Sequence, residues 1–309
     1  MVTATEIPSG PFDHLAPTVR QAAGLSKEKR IALLRHDRWI GYPRARYVLD
    51  RLDDFLTWPR RQRMPNGLIV GPTNNGKSMI VEKFRQSRGR REAGSEPTET
   101  ESLPIVVVQT PSEPSVTRFY SMLLGATGAP LRPRMRTNEL EHLSLRVLRA
   151  TGTRMLIIDE LHNALGARGD GRREFLNLIR FLGNELKIPI VGVGTREAYL
   201  TIRADDQLEN RFEPMILPVW EEGDEFLSLL ASFAALLPLR RPSEITTPEM
   251  ARYILTRTGG TIGEISALLT STALCAVESG EEALNRRTLL AAPYRGPVDR
   301  RRAFERELA

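Results

Sequence analysis

Residues 71–78 read Gly71-Pro72-Thr73-Asn74-Asn75-Gly76-Lys77-Ser78, which fits the pattern G-x-x-x-x-G-K-[ST]. An apolar run at 68–70 precedes this stretch, and a helical pattern follows it, the strand–loop–helix setting that the motif needs. Glycines let the backbone wrap closely around phosphate oxygens, and the following helix presents its positive end to the anion. All eight residues are therefore candidate nucleotide contacts. We expect Lys77 to reach the β- and γ-phosphates of ATP and the Ser78 hydroxyl to ligate Mg²⁺. A chance glycine-rich turn, the alternative, would not need the flanking strand and helix.

A second candidate element is the run Met155-Leu156-Ile157-Ile158-Asp159-Glu160. Four apolar residues predict a buried strand, and two carboxylates follow at its carboxyl end, where α/β sheets place their ligands. We expect Asp159 to hold Mg²⁺ through water and Glu160 to polarise the attacking water as a general base. Asn163 could orient Glu160. The alternative is an ordinary strand that ends in acidic loop residues, and only the P-loop upstream favours the catalytic interpretation.

The rest of the chain predicts an α/β core followed by helices. Short apolar runs alternate with helical patterns between residues 36 and 220, which indicates a parallel, helix-covered sheet. After Trp220 only helical patterns follow, so we expect a small helical lid subdomain at 221–292. Residues 1–35 are expected to form an extension that could serve as a partner-binding arm, and 293–309 a basic tail. The polar segment 87–102 is predicted to be a mobile surface loop.

Composition narrows the classes of function. The 44 basic and 38 acidic residues give a net charge of +6, which favours a polyanionic partner. No apolar run approaches the ~18 residues of a membrane helix, and the amino terminus lacks the features of a secretory signal. Because Cys275 is the only cysteine, an intrachain disulfide or a cysteine-based metal cluster is excluded. The four histidines lack metal-ligand spacing.

The P-loop, the apolar strand that ends in Asp159-Glu160, and the helical carboxyl part together resemble AAA+ ATPases. More narrowly, five segments resemble the TniB/TnsC family of transposition ATPases, relatives of IstB and MuB, with TniB the nearest match. The resemblance covers about residues 36–280. The segments that carry it are Trp39-Ile40-Gly41-Tyr42-Pro43-Arg44-Ala45, residues 71–78, Ile157-Ile158-Asp159-Glu160-Leu161-His162-Asn163, Val191-Gly192-Val193-Gly194-Thr195, and Thr258-Gly259-Gly260-Thr261-Ile262-Gly263-Glu264-Ile265.

The resemblance implies an AAA+ fold and a regulator that forms ATP-dependent homo-oligomers, rings or helical filaments, on double-stranded DNA. Such a regulator would activate a DDE transposase and pass on target information from a TniQ-like partner. It would bind ATP and Mg²⁺, hydrolyse ATP slowly, and act in the bacterial cytoplasm on DNA, with no membrane partner.

The resemblance also assigns roles to single residues. Thr195 matches the sensor-1 position, where a polar side chain detects the γ-phosphate, although a simple helix N-cap is an equal alternative. Arg211 falls where AAA+ proteins place an arginine finger, and the alternative is a surface salt bridge to Glu209 or Glu213. Arg196 and Arg203 are reserve candidates for the finger. Gly263 occupies the place of the usual sensor-2 arginine, a departure that implies weaker sensing by the lid and slow turnover.

Four arginines are the candidate contacts to the DNA backbone. They lie between the predicted second strand and the strand that ends in Asp159-Glu160, a region that in the AAA+ fold commonly faces the centre of the oligomeric ring. They are Arg118, Arg132, Arg134 and Arg136. Contacts to phosphate position a protein without reading bases, so we expect little sequence specificity. A solvated basic loop is the alternative. Ile40, with Trp39 and Tyr42, is a candidate for the adenine contact, and the alternative is that these residues belong to the core.

Two other functions share parts of this pattern. A DnaC-like helicase loader has the same ATPase core, and it would prefer single-stranded DNA and use aromatic stacking platforms. A P-loop kinase would need an acceptor pocket for a small molecule. The acidic pair, the finger candidate and the helical subdomain fit water activation better than phosphoryl transfer to a metabolite.

Overall fold

The computed structural model describes residues 11–92, 102–111, 113, 115–165 and 170–308. They divide into two compact units, one built from residues 11–42 and 219–308 and the other from residues 43–218. The strands are β1 (Asn66–Val70), β2 (Ile105–Gln109), β3 (Met155–Asp159), β4 (Ile190–Gly194) and β5 (Phe212–Ile216). The helices are α1 (Pro17–Ala23), α2 (Lys27–Leu34), α3 (Pro43–Thr57), α4 (Lys77–Glu92), α5 (Val116–Ala126), α6 (Thr137–Ala150), α7 (His162–Leu165), α8 (Asp170–Leu186), α9 (Arg196–Arg203), α10 (Asp206–Glu209), α11 (Asp224–Leu236), α12 (Pro248–Thr258), α13 (Ile262–Ser279), α14 (Arg286–Ala291) and α15 (Pro297–Leu308).

The unit 43–218 contains a five-stranded sheet in the order β2-β3-β4-β1-β5, with every pair of neighbours parallel. All residues of β1 and β4 are buried, which explains why these strands appear in the sequence as continuous apolar runs. The sequence predicted an α/β core with a parallel sheet, and the structure confirms it. In this order the carboxyl ends of β3, β4 and β1 lie side by side.

Helices α5, α6 and α8 supply much of the core beside the strands. Each has an apolar face that packs into the core, where Phe119, Tyr120 and Phe175 are buried. The rings of Phe119 and Phe175 meet edge to face with centroids 5.3 Å apart, a favourable geometry for aromatic pairs. Packing of this kind fixes the sheet ends on which the candidate site is built.

The other unit combines helices from both ends of the chain. Helix α2 packs against α13, and Arg30 on α2 forms a bidentate ion pair with Glu282, both contacts being 2.6 Å. Residues 11–35 therefore fall in the same unit as the helical part, whereas the sequence suggested a separate extension over 1–35. Residues 1–10 of that proposed arm lie outside the described residues.

Local sequence signals mark the start and the end of helix α12 in this unit. The Thr247 side chain accepts a hydrogen bond from the backbone N–H of Met250, and Pro248 opens α12. Gly260 has a φ of 73°, and a Cβ on it would lie 2.5 Å from the backbone oxygen of Trp220. The glycine pair after α12 thus ends the helix and allows two backbone segments to approach closely.

Two segments are more helical than expected. Helix α4 continues to Glu92, beyond the predicted start of a loop at Ser87, and Arg88 on this extension donates to Asp53 on α3 over 2.7 Å. Residues 93–101 of the predicted loop lie outside the described residues. The segment predicted as a basic tail contains α15, where Arg300 donates to Glu264 over 2.6 Å. Each of these helical segments carries an ion pair to another helix, with the partners 35 and 36 positions apart in the chain.

Among the described residues, no helix alone has both the length and the apolar character required to cross a bilayer. Helices α12 and α13 meet these requirements only when joined across a 113° bend.

Candidate functional site

The loop 71–78 joins the carboxyl end of β1 to the amino end of α4. Gly71 stands at a crowded point, because a Cβ there would lie 2.6 Å from the backbone oxygen of Leu217. Asn74 and Gly76 have positive φ angles of 61° and 79°, which turn the chain sharply in front of α4. Pro72 and Thr73 are exposed next to Asn74. The exposed part of the loop is therefore available to a phosphate that approaches the positive end of α4.

Asn75 anchors this loop to the segment that follows β5. Its side chain is only 3% exposed, and its Nδ2 donates to the backbone oxygens of Leu217 and Pro218 over 2.8 and 2.9 Å. These acceptors follow β5, which pairs with β1. The sequence predicted Asn75 as a nucleotide contact, and the structure gives its side chain this anchoring role.

Lys77 lies folded back over the loop. Its side chain is buried, and Nζ donates to the backbone oxygens of Gly71 and Pro72 over 2.9 and 2.7 Å. Burial lowers the pKa of Lys77, and the carboxylates of Glu160 and Asp159 oppose this shift. The ammonium group is thus held at the loop and close to both acidic residues.

Ser78 and Asp159 are brought together by the fold although 81 residues separate them in the chain. The Ser78 Oγ donates to Asp159 Oδ2 over 2.8 Å. Thr110, at the end of β2, fixes this edge because its N–H and its hydroxyl both donate to the backbone oxygen of Asp159 over 2.9 Å. Hydroxyl and carboxylate oxygens are the ligands that Mg²⁺ prefers, so the pair fits a magnesium site completed by phosphate and water.

Glu160 occupies a strained turn immediately after β3. Its φ is 53°, and its N–H donates to Asp159 Oδ1 over 2.7 Å. Its carboxylate contacts His162, with Nε2 and Oε2 3.1 Å apart. Asn163, which the sequence suggested as the residue that orients Glu160, contacts it through the backbone, N–H to oxygen, over 2.9 Å. The neighbouring histidine was the residue that sequence reasoning missed.

Thr195 follows β4, so it shares the sheet edge with the P-loop and the acidic pair. It occupies the N-cap position of α9, but its side chain makes no capping hydrogen bond. The hydroxyl instead donates to the carboxylate of Glu197. Of the two interpretations offered by the sequence, the simple side-chain N-cap is therefore not what the structure contains.

Arg211 lies at the amino ends of the strands, opposite the carboxyl ends that carry the P-loop and the acidic pair. It immediately precedes β5, and its backbone oxygen accepts from the N–H of Asn66 at the start of β1. Four residue steps along β1 separate Asn66 from Val70 before the P-loop, about 13 Å at ~3.3 Å per residue. The structure therefore does not bring Arg211 to the P-loop of its own chain.

The salt bridges considered as the alternative for Arg211 are made by other arginines. Glu209 pairs with Arg203 at 3.3 Å, and Glu213 pairs with Arg51 at 2.5 Å. Arg211 donates to Asn184 Oδ1 over 3.1 Å. Of the reserve candidates, Arg203 is therefore already paired, and Arg196 is an exposed residue at the start of α9.

The four candidate DNA-contact arginines are all exposed, on α5 or on the segment between α5 and α6. Arg118 lies 3.9 Å from the carboxylate of Glu113. Arg132 lines a pocket of about 400 Å³ together with His142 and Arg146 on α6. Arg146 carries a further positive charge beside the predicted set, which the sequence pattern did not single out.

Ile40 belongs to the unit built from residues 11–42 and 219–308, where it is buried. Tyr42 is also buried there, with its ring edge to face against Trp220 at a centroid distance of 5.2 Å. The contact of Ile40 with adenine stays a prediction.

Residues 30–222 match the model of a family described as bacterial TniB protein. This match covers more than half of the chain and includes the P-loop, the acidic pair, Thr195 and Arg211.

Several solved structures share the fold at low sequence identity. The Aeropyrum pernix ORC2 protein in ADPNP–ADP complexes matches with a TM-score of 0.59 and 16% identity, over 85% of this chain and 70% of that chain. The A. pernix ORC1 protein in complex with DNA matches with a TM-score of 0.57 and 17% identity, over 87% and 70%. Cdc6p from Pyrobaculum aerophilum matches with a TM-score of 0.53 and 15% identity, over 81% and 65%. These similarities show the AAA+ fold, an α/β core with a helical carboxyl part.

Proposed function

We propose, because the chain belongs to the TniB family, that it is an ATP-dependent regulator of transposition that binds double-stranded DNA. In this proposal the protein assembles as a homo-oligomer on duplex DNA when it holds MgATP. The assembly links a TniQ-like target selector to a DDE transposase. Hydrolysis of ATP to ADP and phosphate then works as a slow switch.

One observation carries the proposal: the fold places Lys77, Ser78, Asp159 and Glu160 at one edge of the sheet. Lys77 would exchange its bonds to the loop carbonyls for bonds to the β- and γ-phosphates. Ser78 and Asp159 would hold Mg²⁺, which when bound would supply positive charge that offsets the negative charge of the phosphates. The exposed loop residues would contribute backbone N–H groups to the phosphates.

Glu160 is the proposed general base. Its carboxylate would accept a proton from the attacking water while Lys77 stabilises the phosphate oxygens. Thr195 is the proposed sensor of the γ-phosphate, and its hydroxyl would have to leave Glu197 to reach that group. ATP binding would thereby break the hydrogen bond between Thr195 and Glu197.

Arg211 is proposed as an arginine finger that acts on the nucleotide of a neighbouring subunit. Its position supports this arrangement, because Arg211 precedes β5 at the amino ends of the strands, about 13 Å along β1 from the P-loop of its own chain. A planar guanidinium can neutralise charge that develops on the transferred phosphoryl group. Hydrolysis would then depend on assembly.

The basic surface is proposed as the contact to DNA. Arg132, Arg134 and Arg136 are exposed and make no side-chain ion pair within the described part of the chain. The similarity in fold to an ORC1 protein solved in complex with DNA also supports a DNA-related role. Arg118 and Arg146 would extend the surface on α5 and α6.

Replacement of Arg132, Arg134 and Arg136 by alanine is expected to weaken DNA binding and flatten its dependence on salt. Each arginine that binds a phosphate should, when removed, reduce the slope of log K against log [salt] by about 0.9, because fewer counterions are released. ATP affinity should stay unchanged. The measurement is fluorescence anisotropy with labelled duplex DNA over a range of salt concentrations.

A matched control replaces Arg85, Arg252 and Arg286, three exposed arginines paired with Glu82, Glu222 and Glu249 at 2.7, 3.0 and 2.8 Å. It removes the same formal charge from positions where a carboxylate already neutralises it. Equal slopes for both triple variants, or DNA affinity equal to that of the parent in the first, would remove the predicted arginines from the DNA site.

The experiment that tests the proposed function is electron microscopy of the protein with duplex DNA and a slowly hydrolysed ATP analogue. Closed rings or helical filaments on the duplex are expected, and their formation should require the nucleotide. A parallel assay of phosphate release with and without DNA should show stimulation by DNA. Assembly only on single-stranded DNA would favour the helicase loader, and a phosphorylated metabolite would favour the kinase.

A further inference from the structure

The turn after β3 is held on the sheet by Leu161, the residue between Glu160 and His162. Leu161 is fully buried, and its N–H donates to the backbone oxygen of Val193 on β4 over 2.8 Å. Glu160 is thereby fixed in its left-handed conformation, with φ at 53°. The backbone on both sides of Leu161 is therefore set by the sheet, and only side-chain torsions are left to place the two functional groups.

The Glu160 and His162 side chains contact each other through one nitrogen and one oxygen atom. Nε2 of His162 lies 3.1 Å from Oε2 of Glu160. A carboxylate oxygen can only accept, so Nε2 carries the hydrogen and donates it. Oε1 of Glu160 makes no hydrogen bond within the described residues, and 35% of the side chain is exposed. One oxygen is thus restrained and the other is open to a water molecule.

The remaining ring nitrogen has no competing role. Nδ1 of His162 is buried and has no hydrogen-bond partner among the described residues. With the hydrogen on Nε2, Nδ1 is the acceptor atom of the ring. The contact to Glu160 is accordingly the one hydrogen bond that this ring makes within the described residues, while the charge of Glu197 also acts on the ring.

The carboxylate of Glu160 also acts on the proposed phosphate-binding lysine. Its charge acts on the Lys77 ammonium more strongly than that of Asp159 does, and both raise the pKa of Lys77 against burial. Glu160 therefore lies within electrostatic reach of Lys77, the residue proposed to bind the β- and γ-phosphates.

We infer that His162 is a positioning residue for Glu160, holding one carboxylate oxygen so that the other faces the attacking water. This inference rests on the proposed function, in which Glu160 is the general base. A glutamate side chain left free would sample several rotamers, and a general base acts only from within hydrogen-bond reach of its proton. His162 therefore acts on turnover and not on nucleotide affinity.

The test compares His162→Leu with His162→Gln. The leucine variant cannot donate a hydrogen bond, and we expect its kcat for DNA-stimulated ATP hydrolysis to fall about tenfold or more, with the KM for ATP and the melting temperature unchanged. Glutamine can donate through its amide, so His162→Gln should retain most of the activity. In a Glu160→Gln background, His162→Leu should not lower the residual rate further, because a positioning residue acts only through the group that it positions.

Parent-like turnover in His162→Leu would overturn the inference. So would an equal loss in the leucine and glutamine variants, or an undiminished loss in the Glu160→Gln background. Should His162→Leu not fold, the glutamine variant alone and in the Glu160→Gln background carries the comparison. A parent protein that hydrolyses no ATP with DNA present would instead refute the proposed function itself, whatever the histidine variants do.

Discussion

Replacement of Glu160 by glutamine is expected to lower the rate of ATP hydrolysis by about 10²- to 10⁴-fold, the usual contribution of a general base. The amide has nearly the shape of the carboxylate but cannot accept the proton of the attacking water. MgATP affinity should change little, because Lys77, Ser78 and Asp159 stay in place. Assemblies on DNA should therefore form with ATP and persist. The measurements are steady-state phosphate release and ATP binding by filter retention.

The control for this result is Lys77→Ala, which should lose ATP affinity and assembly together with hydrolysis. Lys77 is buried against the loop and supplies its positive charge, so alanine leaves the phosphates without a counter-charge. A Glu160→Gln protein that hydrolyses ATP at the parent rate would exclude Glu160 as the base. A Glu160→Gln protein that no longer binds ATP would give this residue a binding role instead.

Replacement of Glu282 by glutamine is expected to destabilise the unit built from residues 11–42 and 219–308 by about 3–5 kcal/mol. Arg30 is only 2% exposed and would keep a buried charge without its bidentate partner. For a unit of this size such a loss lowers the melting temperature by on the order of 10 °C. Thermal unfolding followed by circular dichroism measures the shift.

The matched control is Glu249→Gln, which breaks the exposed pair with Arg286 in the same unit. The side chains of that pair are 73% and 72% exposed, and pairs of this kind contribute about 0–1 kcal/mol. The double replacement Arg30→Met with Glu282→Leu should recover much of the stability, because it removes both buried charges. Equal melting temperatures for Glu282→Gln and Glu249→Gln would contradict the importance of the buried pair.

The same pair should make stability depend on acid. Burial opposes ionisation of Glu282, but the hydrogen bonds and charge of Arg30 hold the pKa of this carboxyl below its ordinary value of 4.5. The contribution is therefore complete above pH 4.5 and is lost as the pH falls through the lowered pKa of the folded state. The gap between the parent and Glu282→Gln should narrow under these acidic conditions.

Much of the fold was predictable because its signals are local. The apolar runs that became β1 to β5 and the helical patterns between them depend on residues within a few positions of one another. The motif at 71–78 specifies a loop between a strand and a helix, and the structure has that loop. The roles proposed for Lys77, Ser78, Asp159 and Glu160 stay predictions, whereas their proximity is a structural finding.

The site depends further on contacts that sequence patterns do not contain. Asn75 donates to Leu217, 142 residues away, and nothing near Asn75 identifies that acceptor. The contact of His162 with the Glu160 carboxylate, where the sequence suggested Asn163, depends on side-chain directions in a short turn.

The sequence by itself determined the alternation of strands and helices in the core, the strand–loop–helix arrangement at 71–78 and the acidic pair after β3, because each of these is encoded by neighbouring residues. The tertiary structure alone decided that Arg30 and Glu282, 252 residues apart, join the two ends of the chain in one unit. It also decided that Arg211 lies at the amino ends of the strands, whereas the P-loop follows the carboxyl end of β1. The physical reason is that partners of this kind are selected by the geometry of packing between distant segments, for which a single sequence has no periodic signal.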